Sequence, residues 1–438
     1  MISSTQLIKN MKHLLPVLST VLLTLSFSAT ADEAWPSQAA GAQAAGFTAQ
    51  GINRLDAAME KIVNDSDVAG MVWLLAKDGV VATFDTEGYN ALETQTPMEL
   101  DSLFRIYSMT KPVTGVALMI LHERGLWNFD DPISKYVPEL ADLSVMTSYD
   151  DNGKATTVPV NREPTMRELL NHTAGFGYGL SGRDPVNTAF REARVLASED
   201  LEQLIDKIKE IPLLFQPGEQ WFYSIAVDIQ GYIVQQISGM AFGDFLQKEI
   251  FQPLAMRDTR FFVKEEDHER LAQIHSWDSD SNRLVQRYNS LDYFDPNRIQ
   301  SGGDGLVSSI HDYARFLQML VNEGELDGQR IFTPESVRIM RTNSLRDELN
   351  IRQTNTSPGT AGEGFGVDFA VIYDPHATNS PHSAGTYYWS GIAGTWFWID
   401  PTQDMFLIGM IQSMGTDRPG AADMRAIARD IIYGSLTD

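Results

Sequence analysis

The stretch Phe104-Arg105-Ile106-Tyr107-Ser108-Met109-Thr110-Lys111-Pro112, followed by the apolar run Val113 to Leu121, decides how the rest of the chain is read. On a helix, positions i and i+3 share a face with Cβ atoms about 5–6 Å apart, so a lysine three residues after a serine can reach its hydroxyl. A serine nucleophile needs such a neighbour to take its proton. The amine has to be neutral to do so, which calls for an enclosed site. The apolar run predicts a buried helix that starts near Ser108 and aims its positive end at the nucleophile. Pro112 sits late for a first turn, so the helix is expected to kink or to begin a residue later. None of the other ten lysines has a serine three residues before it, and the Gly-x-Ser-x-Gly elbow does not occur.

Outward from this stretch, both ends of the chain read as strands. Gly70 to Ala76 and Val80 to Phe84 flank Lys77-Asp78-Gly79, an Asp-Gly hairpin signal that predicts an antiparallel pair. Thr395 to Ile399 and Met405 to Gln412 flank a second turn, Asp400 to Asp404. Helical spacing marks Gly51 to Val63, Met424 to Tyr433 and, in the middle, Met166 to Leu170 and Leu201 to Ile211. The expected fold is therefore α/β, in the α+β sense: an antiparallel sheet flanked by helices, built from residues 47–134 and 301–438, with a mostly helical domain inserted at 135–300. Residues 32–46 read as a flexible lead.

Composition narrows the function classes. With 438 residues, 43% hydrophobic and 21% charged, the chain is globular rather than disordered. A net charge of −24 disfavours nucleic acid and anionic membranes as partners. The absence of cysteine excludes thiol catalysis, disulfides and thiolate metal sites. The N-terminus carries Lys9, Lys12 and His13, an apolar run from Leu14 to Phe27, and Ala29-Thr30-Ala31. These are the parts of an export signal spanning 1–31, so a periplasmic or secreted protein without a membrane span is expected once that segment is removed. Asp278 to Asn282 imitates a calcium loop but has Arg283 and Asn289 where glycine and glutamate belong, and it reads as a solvated turn. No metal and no cofactor are expected. His172 and His382 read as structural.

Two further segments could serve acyl transfer. Tyr223 follows a Pro217-Gly218 turn, and a phenol beside a lysine can relay a proton. Tyr388-Trp389-Ser390-Gly391-Ile392-Ala393-Gly394 ends a strand in small residues, where a main-chain N–H can meet an oxyanion. Taken in order, Ser108-x-x-Lys111, Tyr223-Ser224 and Trp389-Ser390-Gly391 resemble the three motifs of the serine β-lactamase-like family, which also holds penicillin-binding proteins and related esterases. Leu169 to Gly175 and Gly302 to Ser308 support the match, which covers nearly all of 50–435. The resemblance implies an α/β domain, a helical domain and a cleft between them. It implies Ser108 as nucleophile, Lys111 and Tyr223 as proton managers, and main-chain N–H groups of Ser108 and Ile392 as oxyanion donors. Tyr388, Trp389, Ser390 and Gly391 would contact substrate.

Two departures bear on the substrate. Ile225 stands where the family has asparagine, and Trp389 where β-lactamases have the lysine that favours the substrate carboxylate. A nearby arginine, for example Arg105 or Arg352, could compensate. The pattern is similar to the esterase branch, which implies cleavage of a small carboxylic ester through an acyl-enzyme. A β-lactamase or D-Ala-D-Ala carboxypeptidase is the alternative on the same fold, and a non-catalytic binding or sensor protein the alternative of another class. Oligomeric state is not legible.

Overall fold

Asp78 (φ 53°) and Gly79 (φ 73°) both take the left-handed conformation that a tight hairpin requires. They join β1 (Gly70–Lys77) to β2 (Val80–Ala91), which pair antiparallel from Lys77↔Val80 to Gly70↔Gly88. β2 outruns its expected end at Phe84 because β1 pairs with it as far as Gly88 and β3 (Thr96–Pro97) folds back onto Tyr89 and Ala91. The computed structural model describes residues 35–36, 39–150, 155–180, 182–287, 293–346, 349, 361–415 and 417–437. The expected export signal at 1–31 lies outside them.

The later strands are β4 (Glu363–Phe365), β5 (Ala370–Ile372), β6 (Tyr387–Ser390), β7 (Trp396–Asp400) and β8 (Met405–Met410). Together the eight form one sheet, ordered β4-β5-β6-β7-β8-β1-β2-β3. β8 pairs with β1 from Lys77↔Met405 to Val72↔Met410, so the sheet is closed by strands from opposite ends of the chain. Residues Gly70–Ala76 of β1 are all buried, as befits a central strand covered on both faces.

Side chains alternate across each strand, and the two faces take different helices. On one face, α1 (Ala49–Asn64) and α9 (Met424–Tyr433) place Leu55, Met59 and Ile432 against Trp73, Trp396, Trp398 and Leu407. Ala45 and Phe47 belong to the same core, and Ala40 N–H bonds the Val81 carbonyl. The stretch from 39 to 46, expected as a flexible lead, is thus held against β2 and α1. On the other face, α8 (Ile310–Val321) packs on β8, and its Tyr313 meets Phe397 with ring centroids 5.6 Å apart.

Residues 135–300 contain α3 (Met166–Leu170), α4 (Pro185–Glu192), α5 (Leu201–Ile208), α6 (Ala226–Ser238) and α7 (Phe242–Leu246). They also hold two hairpins that periodicity did not reveal, Ser144–Tyr149 with Ala155–Pro159 and His275–Asp278 with Arg283–Gln286. The calcium-like loop is the turn of the second hairpin, where the Ser281 N–H bonds Asp278 Oδ2 at 3.1 Å. Among the described residues no helix is long and apolar enough to cross a membrane.

Candidate active site

The chain enters the site along Leu103–Arg105, a short strand paired with Val307–Ser309. Tyr107 then adopts φ 43°, a left-handed conformation that is strained for an aromatic residue. A single tight turn, Tyr107–Met109, presents Ser108, and α2 (Thr110–Glu123) begins after it. Pro112 is therefore the third helical residue. Its missing N–H falls in the first turn, where no intrahelical acceptor exists, so the expected kink is unnecessary. The Tyr313 hydroxyl donates to the Met109 carbonyl at 2.8 Å and ties this turn to α8.

Lys111 is fully buried, and Ser108 is half-buried. The Lys111 Nζ lies 3.2 Å from Ser108 Oγ, 3.0 Å from the Tyr178 hydroxyl and 2.6 Å from the Gly303 carbonyl. It also stands 4.7 Å from the centre of the Tyr223 ring. Spacing along α2 thus brings the serine and lysine together as expected. The two phenols divide differently from the sequence reading: Tyr178 meets the amine through its hydroxyl, Tyr223 through its ring face. The Tyr223 hydroxyl is buried and engages no partner among the described residues.

Tyr178 was not singled out from the sequence. Its signal is Gly175-Phe176-Gly177-Tyr178-Gly179, which directly follows the quoted stretch ending at Gly175. Asn187 of α4 fixes this loop by accepting the Tyr178 and Gly179 N–H groups through Oδ1, each at 3.0 Å. Burial, with the charges nearby, pushes the Tyr178 phenol well above its usual range, so it remains protonated at neutral pH. His172 buttresses Tyr223, with ring centroids 5.0 Å apart. The Ser224 N–H points at His172 Nδ1 from 3.2 Å, which places the imidazole proton on Nε2. Burial and the Lys111 charge push its pKa well down, so the ring stays neutral.

The end of β6 closes the site. A Cβ on Gly391 would lie 2.5 Å from the Ile106 carbonyl, so only glycine lets the strand seat against the turn that carries Ser108. Ala393 packs on Tyr107. Ile392 between them is 61% exposed, and among the described residues no acceptor takes its N–H. Trp389 is buried, meets Tyr223 and Phe365 with both centroid distances at 5.4 Å, and its indole N–H has no partner among the described residues. Strand alternation sends Tyr388 elsewhere. It packs with the core under α1 and α9, and its hydroxyl donates to Glu363 Oε1 at 2.8 Å. Ser390 ends the strand opposite Trp396. Arg105 is buried, donates to the Ala272 carbonyl at 2.8 Å and lies over the Tyr293 ring. Arg352 lies outside the described residues.

A model of the family described as Beta-lactamase matches residues 55–430. An uncharacterized protein of Mycobacterium tuberculosis is 34% identical over 351 residues, which cover 79% of this chain and 86% of that one. Esterase EstB of Burkholderia gladioli is 29% identical over 369 residues, covering 78% and 86%. Among solved structures, EstCE1, described as a hydrolase with promiscuous acyltransferase activity, superposes with a TM-score of 0.74 at 24% identity, covering 88% of this chain and 98% of that one.

Proposed function

The chain belongs to the beta-lactamase family, among esterase-like serine hydrolases with acyltransferase relatives, and from that membership we propose that it cleaves a carboxylic ester through an acyl-enzyme on Ser108. The observation that carries this reading is the Lys111 amine at 3.2 Å from the Ser108 hydroxyl in a fully buried position. Ser108 Oγ attacks the ester carbonyl as its proton passes to Lys111. The main-chain N–H groups of Ser108 and Ile392 receive the oxyanion. The alcohol departs with a proton delivered through the Tyr223 hydroxyl, which is free to meet it. Water then releases the acid and regenerates the serine. An alcohol in place of that water would accept the acyl group, and the description of EstCE1 favours this second outcome.

Substrate choice follows from what lines the site. A β-lactam brings a carboxylate and an acyl amide. Trp389 offers the carboxylate no cation, Arg105 is occupied in the core, and Ile225 offers the amide no side-chain partner. Hydrogen bonds to charged groups contribute about 1.5–3 kcal/mol. Short aryl esters are therefore expected to exceed cephalosporins in kcat/KM by roughly a hundredfold or more. Initial rates on a p-nitrophenyl ester series beside nitrocefin test this, and nitrocefin turnover equal to the best ester would reverse the assignment. Ser108 labelling by a fluorophosphonate, lost in Ser108→Ala, tests the nucleophile itself. We also propose export with removal of residues 1–31, carried by the basic and apolar N-terminal stretch; protein confined to the cytoplasm with an intact Met1 contradicts it.

A further inference from the structure

Behind Lys111 lies a hydrogen-bond count that ordinary carboxylates cannot satisfy. Asp228 of α6 is 1% exposed. Its Oδ1 accepts the Gly303 N–H at 3.3 Å and lies 2.5 Å from Ser301 Oγ. The same Ser301 Oγ lies 2.6 Å from Asp304 Oδ1 and accepts the Asp304 N–H at 3.2 Å. Two oxygen–oxygen contacts need two hydrogens, and a serine hydroxyl carries one. The second hydrogen has to sit on a carboxyl. Asp304 is half-buried, whereas Asp228 is enclosed and its Oδ2 has no partner among the described residues. A charge in that position is the costlier of the two, so the proton belongs to Asp228. Burial, then the Asp304 charge, pushes this carboxyl up to about 6.

Gly303 links the pair to the reacting lysine. Its N–H goes to Asp228, and its carbonyl accepts from Lys111 Nζ at 2.6 Å. A Cβ there would stand 2.5 Å from Asp228 Oδ2 and 3.2 Å from the Tyr178 hydroxyl, so the carboxyl, the phenol and the lysine's acceptor crowd one point. The charged or titratable groups that bear on Asp228 are Lys111 of α2, Tyr178 ahead of α4, and Asp304. Those on the other helices packed against α6 are engaged elsewhere or exposed. In α3, Arg167 pairs with Asp130 and Glu168 with Arg162. In α5, Glu202 holds Gln235, Asp206 pairs with Lys209, and Lys207 bonds Ser198. Asp244 of α7 is exposed, and Asp368, which accepts from Gln230 Nε2 of α6 at 3.2 Å, is pushed well up by burial.

We propose that Asp228, Ser301 and Asp304 form a shared-proton cluster that positions the Gly303 carbonyl and sets how readily Lys111 gives up its proton, which makes Asp228 a positioning residue for acyl transfer. The proposal rests on the reading of Ser108 as nucleophile and Lys111 as base. A protonated Asp228 puts no charge behind the amine. When the cluster loses its proton to solvent, the new carboxylate favours the ammonium form and disfavours the base.

The test is the pH dependence of kcat/KM on a p-nitrophenyl ester, whose rising limb reports the essential base of the free enzyme. Asp228→Asn fixes the neutral state, and the limb moves to lower pH by about one unit, the size expected of one nearby charge. Asp304→Asn removes the like charge that keeps the proton on Asp228, and the limb moves to higher pH. Asp228→Ser, which is likewise neutral, moves the limb the same way and replaces Asp228→Asn if that variant does not fold. Limbs that do not move, or that move the same way in Asp228→Asn and Asp304→Asn, overturn the proposal. A role in packing alone lowers kcat/KM at every pH without moving the limb. Fluorophosphonate labelling of Ser108 in the wild type separates this failure from failure of the catalytic reading itself.

Discussion

Lys111 meets one phenol end-on and the other face-on, and the two contacts assign different work to Tyr178 and Tyr223. Tyr178 is one of three groups that hold the amine in place. Tyr223 lays its ring against the amine, and its hydroxyl has no partner among the described residues. Tyr223→Phe is expected to lower kcat by roughly 10²–10⁴-fold, the worth of a positioned acid–base group. Tyr178→Phe removes one hydrogen bond of three and should lower kcat/KM by about tenfold, the equivalent of about 1.4 kcal/mol. Steady-state kinetics of the two variants decide the matter; a larger loss for Tyr178→Phe would exchange the roles. Lys111→Ala should cost at least as much as Tyr223→Phe, and the double variant less than the product, since both serve one proton path.

The turn around Ser108 and the end of β6 depend on each other for position. Gly391→Ala would drive a methyl into the Ile106 carbonyl and the Thr395 hydroxyl, each 2.5 Å from where it would stand. The strand has to move, and Ile392 moves with it. Displacements of this order cost about a hundredfold in rate, so kcat should fall by about that factor while circular dichroism stays unchanged. Elements like these were legible where a local cause wrote them into the sequence. The three-residue step from Ser108 to Lys111, the Asp78-Gly79 turn and the bounds of α9 at Met424 and Tyr433 are of that kind. Tyr178 was not legible, because it reaches Lys111 across 67 residues, and Asn187 rather than any periodicity aims its loop. Tyr388 was misplaced by reading Tyr388 to Gly391 as one surface, when a strand sends neighbours to opposite faces. The partnership of Asp228 with Asp304 depends on a fold that brings α6 beside the 301–306 loop, and no spacing announces it.

The whole molecule should respond to acid through its buried imidazoles. His382 is wedged against Trp398 and Tyr433, with ring centroids 5.3 and 5.4 Å away. Burial, aided by Arg429, lowers it from 6.5 to about 4. Between those values the unfolded chain binds the proton and the folded one does not, so stability rises with pH across that window. Acidification from pH 7 to 4 is expected to remove about 3 kcal/mol through this group, and His172 acts with the same sign. Urea midpoints at pH 7 and 4.5 should differ less in His382→Gln than in the wild type; an equal difference refutes the contribution. The pairing of β1 with β8 bears on timing as well as architecture. A ribosome that has delivered Lys77 must add more than three hundred residues before Met405, the first residue of β8 to pair with β1, exists. Until then the edge of β1 lies open and the segment from Gly391 to Ala393 has not been made. The nascent chain therefore holds Ser108 and Lys111 long before it has the segment that closes the site against them, and the proposed site can assemble only once synthesis is nearly complete.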